Sequence, residues 1–536
     1  MCGASTAFGT SFSKNRIAAG LIAGTAGVLL AGLPQQARAL NLYDGHATGN
    51  GIEVNLDTTL SWTGITRTNN PSKVLTSNIN GDDGDLNFAH GVVSDEFEGT
   101  SILDITDGDY GAHFSGDAYL NTSYLGTNQN HSDTTNPVTI AKSNDFTSAT
   151  RNINGLNAQV LDAFVYGSEH FGSNNGQAFT FKIGRQTLLW GQSLLLANNG
   201  LAAGQSPYDL QTADNNPGAL LNTIIMPLGA AVATYSPNST VTLQGYYQFQ
   251  WQPDLEEGVG AYFSTLDILD KGGQRLLIAP GVGILRAKDI RPGNNNGQFG
   301  AALQLSLGEY DLGFYGIRYD SKSPTLYLSP AGTYTAVYPR DIWAEAIGLS
   351  TDVGQVNVAG ETSMRQHMNL VSGATITTSQ NANSDPAYPV GDTWAGQVSA
   401  IYISPSIPFD PGGVQITSEI GFNHLLKVTE NYDARSQGRT GTAADVALNI
   451  TPNYYDVYPN LNISFPLTLS YNLFGRSAID QGENHGTGNF SIGISATYKV
   501  VYVASLIFDD HIGAANSVLN PSADRNYVLA NLQYSF

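Results

Sequence analysis

The chain is written largely in period two. Ile52, Val54, Leu56, Leu60 and Trp62 share one face, while Glu53, Asn55, Asp57, Thr59 and Ser61 share the other. Val241, Leu243, Tyr247, Phe249 and Trp251 alternate with Thr242, Gln244, Tyr246, Gln248 and Gln250. The same rhythm runs through Leu461–Leu473 and Phe490–Lys499, and through the last eleven residues, Asn526–Phe536. There Val528, Ala530, Leu532, Tyr534 and Phe536 oppose Leu529, Asn531, Gln533 and Ser535. Successive side chains of a strand point to opposite faces, so each segment predicts a strand with one apolar and one polar side. Strands are expected near 52–67, 97–106, 110–126, 157–171, 177–189, 229–236, 240–252, 297–307 and 310–321. Further strands are expected near 341–351, 355–365, 392–403, 413–425, 444–458, 461–474, 488–498, 500–509 and 526–536.

The connections alternate in length. Asp107–Asp109, Gly172–Gly176, Pro237–Ser239, Gly308-Glu309 and Asp352–Gly354 are short. The segments 68–96, 127–156, 190–228, 253–296, 322–340, 366–391, 426–443, 475–487 and 510–525 are long. Short turns at one end and long loops at the other describe an antiparallel barrel, and an even strand count leaves both termini at the short-turn end. The expected fold is all-β: a transmembrane barrel of about 16–18 strands, with long external loops and a lumen wide enough for water unless loops fill it. Alternation alone does not separate this from a soluble sandwich, whose apolar faces meet a core instead of lipid.

The termini separate them. Residues 1–39 hold Lys14, Arg16 and Arg38 and no acid, with an apolar run from Ile17 to Leu33 followed by Ala37-Arg38-Ala39. This is the pattern of a secretory signal peptide removed after Ala39. A membrane anchor would need a longer and more apolar run. Residues 40–536 then form a single barrel domain, preceded only by a short tail (Leu40–Gly51) that could point inward. The terminal Phe536 resembles the signature that the barrel-assembly machinery reads in bacterial outer membranes. Trp62, Trp251, Tyr471 and Tyr498 stand near strand ends, where a membrane interface favours Trp and Tyr.

Composition removes several classes. Cys2, the only cysteine, lies in the leader, so no disulfide or cysteine metal site is expected. Beyond Ala39 the chain carries 21 basic and 45 acidic residues, a net charge of −24 that argues against nucleic acid as a partner. Fifty-nine Gly and 27 Tyr without helical periodicity fit a large antiparallel β protein. No short repeat marks a solenoid. Gly-x-Ser-x-Gly, His-Glu-x-x-His and P-loop motifs are missing, and His113 and His424 lie in strands without a serine or acid pair in sequence reach. No enzyme activity and no cofactor are expected.

Three features carry candidate chemistry. The segment 190–228 holds Leu194, Leu195, Leu196, Leu201, Leu220, Leu221, Ile224, Ile225 and Met226, too many apolar side chains for a loop in water. It is expected to fold into the lumen and narrow it; packing on a neighbouring loop or subunit is the alternative. Lys182, Arg185, Arg318 and Arg365 sit in strands, where a charge must face the lumen or a partner such as Glu53, Asp57 or a loop acid. Asp83, Asp85 and Asn87 have the one-three-five spacing of a calcium loop, but Phe88 replaces the glycine and Ser94 the closing glutamate, leaving at most a looser divalent-cation site.

The motifs Asn80–Phe88, Gly184-Arg-Gln with Trp190-Gly-Gln-Ser193, and Ser206-Pro-Tyr-Asp209 with Pro217-Gly218 resemble those of a bacterial family of unknown function, number 1302. Ser-Pro-Tyr-Asp stands where Asn-Pro-Val-Asp is expected, and Leu221-Asn222 where a basic-acidic pair is expected. The resemblance implies a Gram-negative outer-membrane barrel serving envelope-lipid or hydrophobic-compound transport, with no defined substrate. Three functions stay open: a passive channel for hydrophobic or amphipathic molecules gated by 190–228, a general or cation-preferring porin, and a non-transport adhesin-like envelope protein. The expected partners are outer-membrane lipid and lipopolysaccharide, the assembly machinery at Phe536, and a periplasmic or inner-membrane transport component.

Overall fold

The computed structural model describes residues 40–45, 51–196, 199–211, 225–295, 297–373, 375–379, 381, 385–404 and 412–536. The signal-peptide expectation for 1–39 lies outside these residues. In chain order the strands are β1 (Leu40–Asp44), β2 (Ile52–Arg67), β3 (Gly91–Asp107), β4 (Tyr110–Asn121), β5 (Leu156–Phe171), β6 (Gln177–Gln186), β7 (Leu228–Ser236) and β8 (Val241–Gln248). They continue with β9 (Arg275–Ala279), β10 (Val282–Arg286), β11 (Gln298–Leu307), β12 (Tyr310–Tyr319), β13 (Thr325–Ser329), β14 (Thr333–Val337), β15 (Ile342–Val353) and β16 (Val356–Asn369). The last are β17 (Thr375-Ile376), β18 (Val390–Ile403), β19 (Val414–Glu430), β20 (Thr442–Tyr458), β21 (Leu461–Ser464), β22 (Leu467–Phe474), β23 (Gly488–Tyr498), β24 (Tyr502–Ile512) and β25 (Tyr527–Ser535).

Each wall strand pairs antiparallel with the next, and β25 closes on β2 from Thr59↔Ser535 to Arg67↔Tyr527. With β21 and β22 counted as two halves of one strand, the wall is a closed antiparallel barrel of 18 strands. Closure leaves no long hydrogen-bonding edge exposed. Phe536 extends the seam, exchanging two main-chain hydrogen bonds of 2.9 Å with Thr58. Tight turns join strands at one end: Gly108, Gly308 and Gly354 each take a positive φ (+60°, +72°, +66°) that only glycine adopts freely.

The alternation sorts the wall's two faces. Leu60, Phe97, Val160, Met364, Trp394 and Leu532 point outward and are exposed. Glu96, Asp117, Glu361, Glu419 and Asp445 hold the opposite phase and are buried. An apolar exterior around a polar interior is the inverse of a soluble core.

Two features lie beyond the predicted wall. β1 pairs antiparallel with β2 (Leu40↔Leu56 to Asp44↔Glu53), so it lies in the sheet, not inside the lumen. β2 has 16 residues and β25 only nine, so the lower edge of β2 would stay unpaired without it. At the long-loop end, β17, β13, β14, β10 and β9 form a second sheet of five short strands. Near it the loops after β2, β4 and β8 bury Phe88, Tyr124, Phe146 and Tyr262 against Ile65 and Leu529 of the wall.

Candidate functional site

The segment leaving β6 crosses the lumen. Trp190 meets Tyr246 of β8 edge-on (4.8 Å between ring centres) and Tyr315 of β12 at 6.0 Å. Gly300 of β11 makes room, since a Cβ there would lie 2.9 Å from the indole. Leu188 and Leu201 join this apolar cluster with Ile317 and Tyr319. Farther on, the chain is irregular and its N–H groups need acceptors. Two inward carboxylates provide them. Glu419 of β19 accepts from the N–H groups of Leu194 (3.1 Å), Leu195 (2.5 Å) and Leu196 (2.6 Å). Glu361 of β16 accepts from Gln192 (2.7 Å) and Leu201 (2.6 Å). Charged acceptors make such bonds roughly twice as strong as neutral ones. Gly191, at φ +103°, lies against Glu361 where a side chain would collide with the carboxylate.

Other wall groups complete the attachment. Arg365 donates to the Gly200 carbonyl (2.7 Å). Asn199 donates to Asp445 of β20 (3.2 Å) and accepts from Asn423 of β19 (3.2 Å). Gln248 donates to the Gln205 carbonyl at 2.7 Å. Lys322, in the loop after β12, donates to the Gly204 carbonyl at 3.1 Å, and its burial pulls its pKa down to about 8. The segment then reaches the other side, where Tyr119 of β4 donates to Gln211 at 2.8 Å. In strand order β4 and β19 stand almost opposite each other around the wall, so the attachments span the lumen. On the β4 side the lining is acidic. Glu96 of β3 and Asp117 of β4 stand within electrostatic reach both of Glu98 of β3 and of Asp209 of the crossing segment.

Among the expected constriction residues, Leu196, Leu201 and Ile225 are buried, while Leu194, Leu195 and Met226 are half-buried. Leu220, Leu221 and Ile224 lie outside the described residues. Leu201, 1 % exposed, is a packing anchor and lines no open passage. Of the expected lumen charges, Glu53, Asp57, Lys182 and Arg365 hold the inward phase. Lys182 lies over the Phe164 ring at 4.5 Å.

Two cations do not line the lumen. Arg318 pairs in register with Phe299 and Trp343 on the outward face, and at the strand's end it binds Asp341 and the Gly297 carbonyl. The rim, where loop groups can reach it, removes the need to point inward. Arg185 shares the phase of exposed Ile183 and turns back to the Leu161 carbonyl of β5 (2.8 Å).

The calcium-loop spacing also fails to converge. Asp83–Asn87 is a single helical turn, in which alternate residues fan apart instead of sharing a centre. Asp85 is bound by Arg67 (2.8 Å) and Arg525, while Asn87 donates to the Gly260 carbonyl (2.7 Å). His113 does have an acid partner, Asp104, opposite it in register at 2.6 Å. The sequence reading missed Glu361, Glu419, Glu96, Glu98 and Asp117. Their inward phase was readable from the alternation, but their partners were not.

The model of a family described as a protein of unknown function (DUF1302) matches residues 20–536. None of the curated proteins matches. Among solved structures, the chain is similar to Acinetobacter baumannii OccAB1 (TM-score 0.45, 10 % identity, covering 90 % of this chain and 96 % of that one). It is similar to a BenF-like porin from Pseudomonas fluorescens Pf-5 (0.43, 9 %, 90 % and 98 %). It is also similar to the outer membrane channel DcaP of Acinetobacter baumannii (0.38, 11 %, 91 % and 98 %).

Proposed function

This chain belongs to the DUF1302 family of proteins of unknown function, and from the geometry of its lumen we propose that it is a passive outer-membrane channel with a preference for cations. The outward apolar wall is the face hydrocarbon would cover, and closure satisfies the backbone there. On this reading the leader 1–39 directs export and Phe536 is what the assembly machinery reads. The observation that carries the proposal is the segment 190–211, fastened to β16, β19 and β20 on one side and to β4 on the other. Such a crossing divides a wide barrel into narrower passages. On this reading a passage beside β3 and β4 runs past the half-buried Glu98, and the buried Glu96, Asp117 and Asp209 around it add to an acidic field that concentrates cations and repels anions.

The test is the reversal potential of the reconstituted protein across a planar bilayer in a salt gradient. A cation-selective potential that falls toward zero in Glu98→Gln/Asp117→Asn supports the reading. An anion-selective potential, or one the double variant leaves unchanged, overturns it. A second reading is favoured by Leu194 and Leu195: their N–H groups are held by Glu419 while their side chains stay half-buried. They would offer an apolar contact to hydrophobic or amphipathic molecules in transit. Saturable uptake of such a molecule into liposomes, lost in Leu194→Ser/Leu195→Ser, would favour that reading.

A further inference from the structure

The loops at the barrel mouth hold a site that channel function does not use. Asp82 and Asp83 follow β2 and Asp267 follows β8, and one oxygen from each of the three carboxylates lies within 4.8 Å of the others. The three side chains are 1 %, 2 % and 0 % exposed. None of them takes part in an ion pair among the described residues. Arg67 and Arg525 are committed to Asp85.

The hydrogen bonds around this cluster are incomplete. Asp82 Oδ2 accepts from Thr134 (2.8 Å), and Asp83 accepts from the side chain of Asn130 (3.3 Å) and the N–H of Asn136 (3.0 Å). Asp267 Oδ2 accepts from the N–H of Asp83 at 3.2 Å. Asp82 Oδ1 and Asp267 Oδ1 are buried with no hydrogen-bond partner. Asn136, itself fully buried, spends its amide hydrogens on Asn80 and the Arg275 carbonyl, and its Oδ1 is also left without a partner. Asp82 Oδ1, Asp267 Oδ1 and the Asn136 amide oxygen are thus buried acceptors without donors, and a cation bound among them would satisfy all three.

We propose that Asp82, Asp83 and Asp267, with the amide oxygen of Asn136, form a calcium site that staples three mouth loops together. Calcium takes six to eight oxygen ligands at about 2.4 Å, so two oxygens on opposite sides of one ion stand about 4.8 Å apart. Three carboxylate oxygens that all lie within 4.8 Å of one another can share one ion of that size. Magnesium demands shorter bonds and a stricter octahedron, and zinc prefers nitrogen and sulfur. The ion would join the loop after β2 to the loop after β8, and both to the 130–136 segment of the loop after β4. Its removal would leave three buried like charges facing one another.

The experiment uses full-length protein refolded in detergent without lipopolysaccharide, stripped with EGTA and titrated with CaCl2 by calorimetry. Folding of each sample is checked by heat-modifiable gel mobility. One calcium per chain is expected, with at least tenfold weaker binding of MgCl2, and calcium should slow tryptic cleavage after Lys142, Lys271 and Arg275. Asp267→Asn and Asp82→Asn should each weaken binding at least tenfold, while Asp433→Asn, an exposed acid on a distant loop, should not. No calcium uptake by folded wild-type protein would overturn the site. So would equal binding by Asp433→Asn and by whichever of the other two variants folds.

Discussion

Two sets of loops enter the space over this barrel, and they are held in opposite ways. The mouth loops after β2, β4 and β8 interlock through side chains. Phe88 packs on Tyr124 (5.3 Å) and Phe146 (5.7 Å), and Arg67 and Arg525 both stack on Tyr262 at 5.5 Å while binding Asp85. Among its described residues, the crossing segment after β6 packs apolar side chains in this way near Trp190 and Leu201, and Asn199 and Gln211 add side-chain hydrogen bonds. Over Gln192–Leu196 it is held by its backbone, through the carboxylates of Glu419 and Glu361. Side-chain packing fixes a loop but uses up its side chains. Backbone attachment leaves the side chains of Leu194 and Leu195 for the lumen, and makes the loop's position depend on two charges.

Substitutions should separate the two modes. Asp85→Ala should have the largest effect, because it leaves the buried Arg67 and Arg525 to share Asp524 alone; losing one partner of such a network costs about 3–5 kcal/mol. The expected result is a lowered thermal midpoint and rapid proteolysis of the mouth loops, and a stability within about 1 kcal/mol of wild type would break the contrast. Glu419→Ala should follow. It leaves three N–H groups without an acceptor, at about 1–3 kcal/mol for an unsatisfied buried group, but outside the wall's own hydrogen bonds. The barrel's midpoint should barely move while the channel current rises and becomes noisier. Gly191→Ala should act in the same direction more weakly, since φ +103° costs a side chain on the order of 1–3 kcal/mol and the new methyl presses on Glu361. Arg318→Ala should do least. Its rim pair with Asp341 is the kind that contributes about 0.2–1 kcal/mol, and neither current nor selectivity should change.

The wall was legible because period two is a strong signal over ten or more residues. Each of the strands expected from alternation is present, and β2 and β23 keep their predicted bounds. The second sheet was not legible. Arg275–Ala279 and Val282–Arg286 are five residues each, too short to show a period; they pair with each other, and only Val282–Arg286 pairs with β14, a distant segment. The site divides along the same line. That Glu361 and Glu419 face inward follows from the phase of their strands. That they bind the backbone at 192–201 depends on partners 160 to 225 residues away. Asp83, Asp85 and Asn87 misled because their spacing suits a loop, whereas a helical turn sends them to different partners. The acid that does meet Asp83 is Asp267, 184 residues on.

The central claim is that the crossing segment sets the passage. Single-channel conductance of wild type against Glu361→Ala/Glu419→Ala tests it most directly, with both proteins shown to be folded by heat-modifiable mobility. A small wild-type conductance that rises several-fold in the double variant is the predicted result. Equal conductances would mean that the carboxylates do not hold a constriction, and would contradict the account.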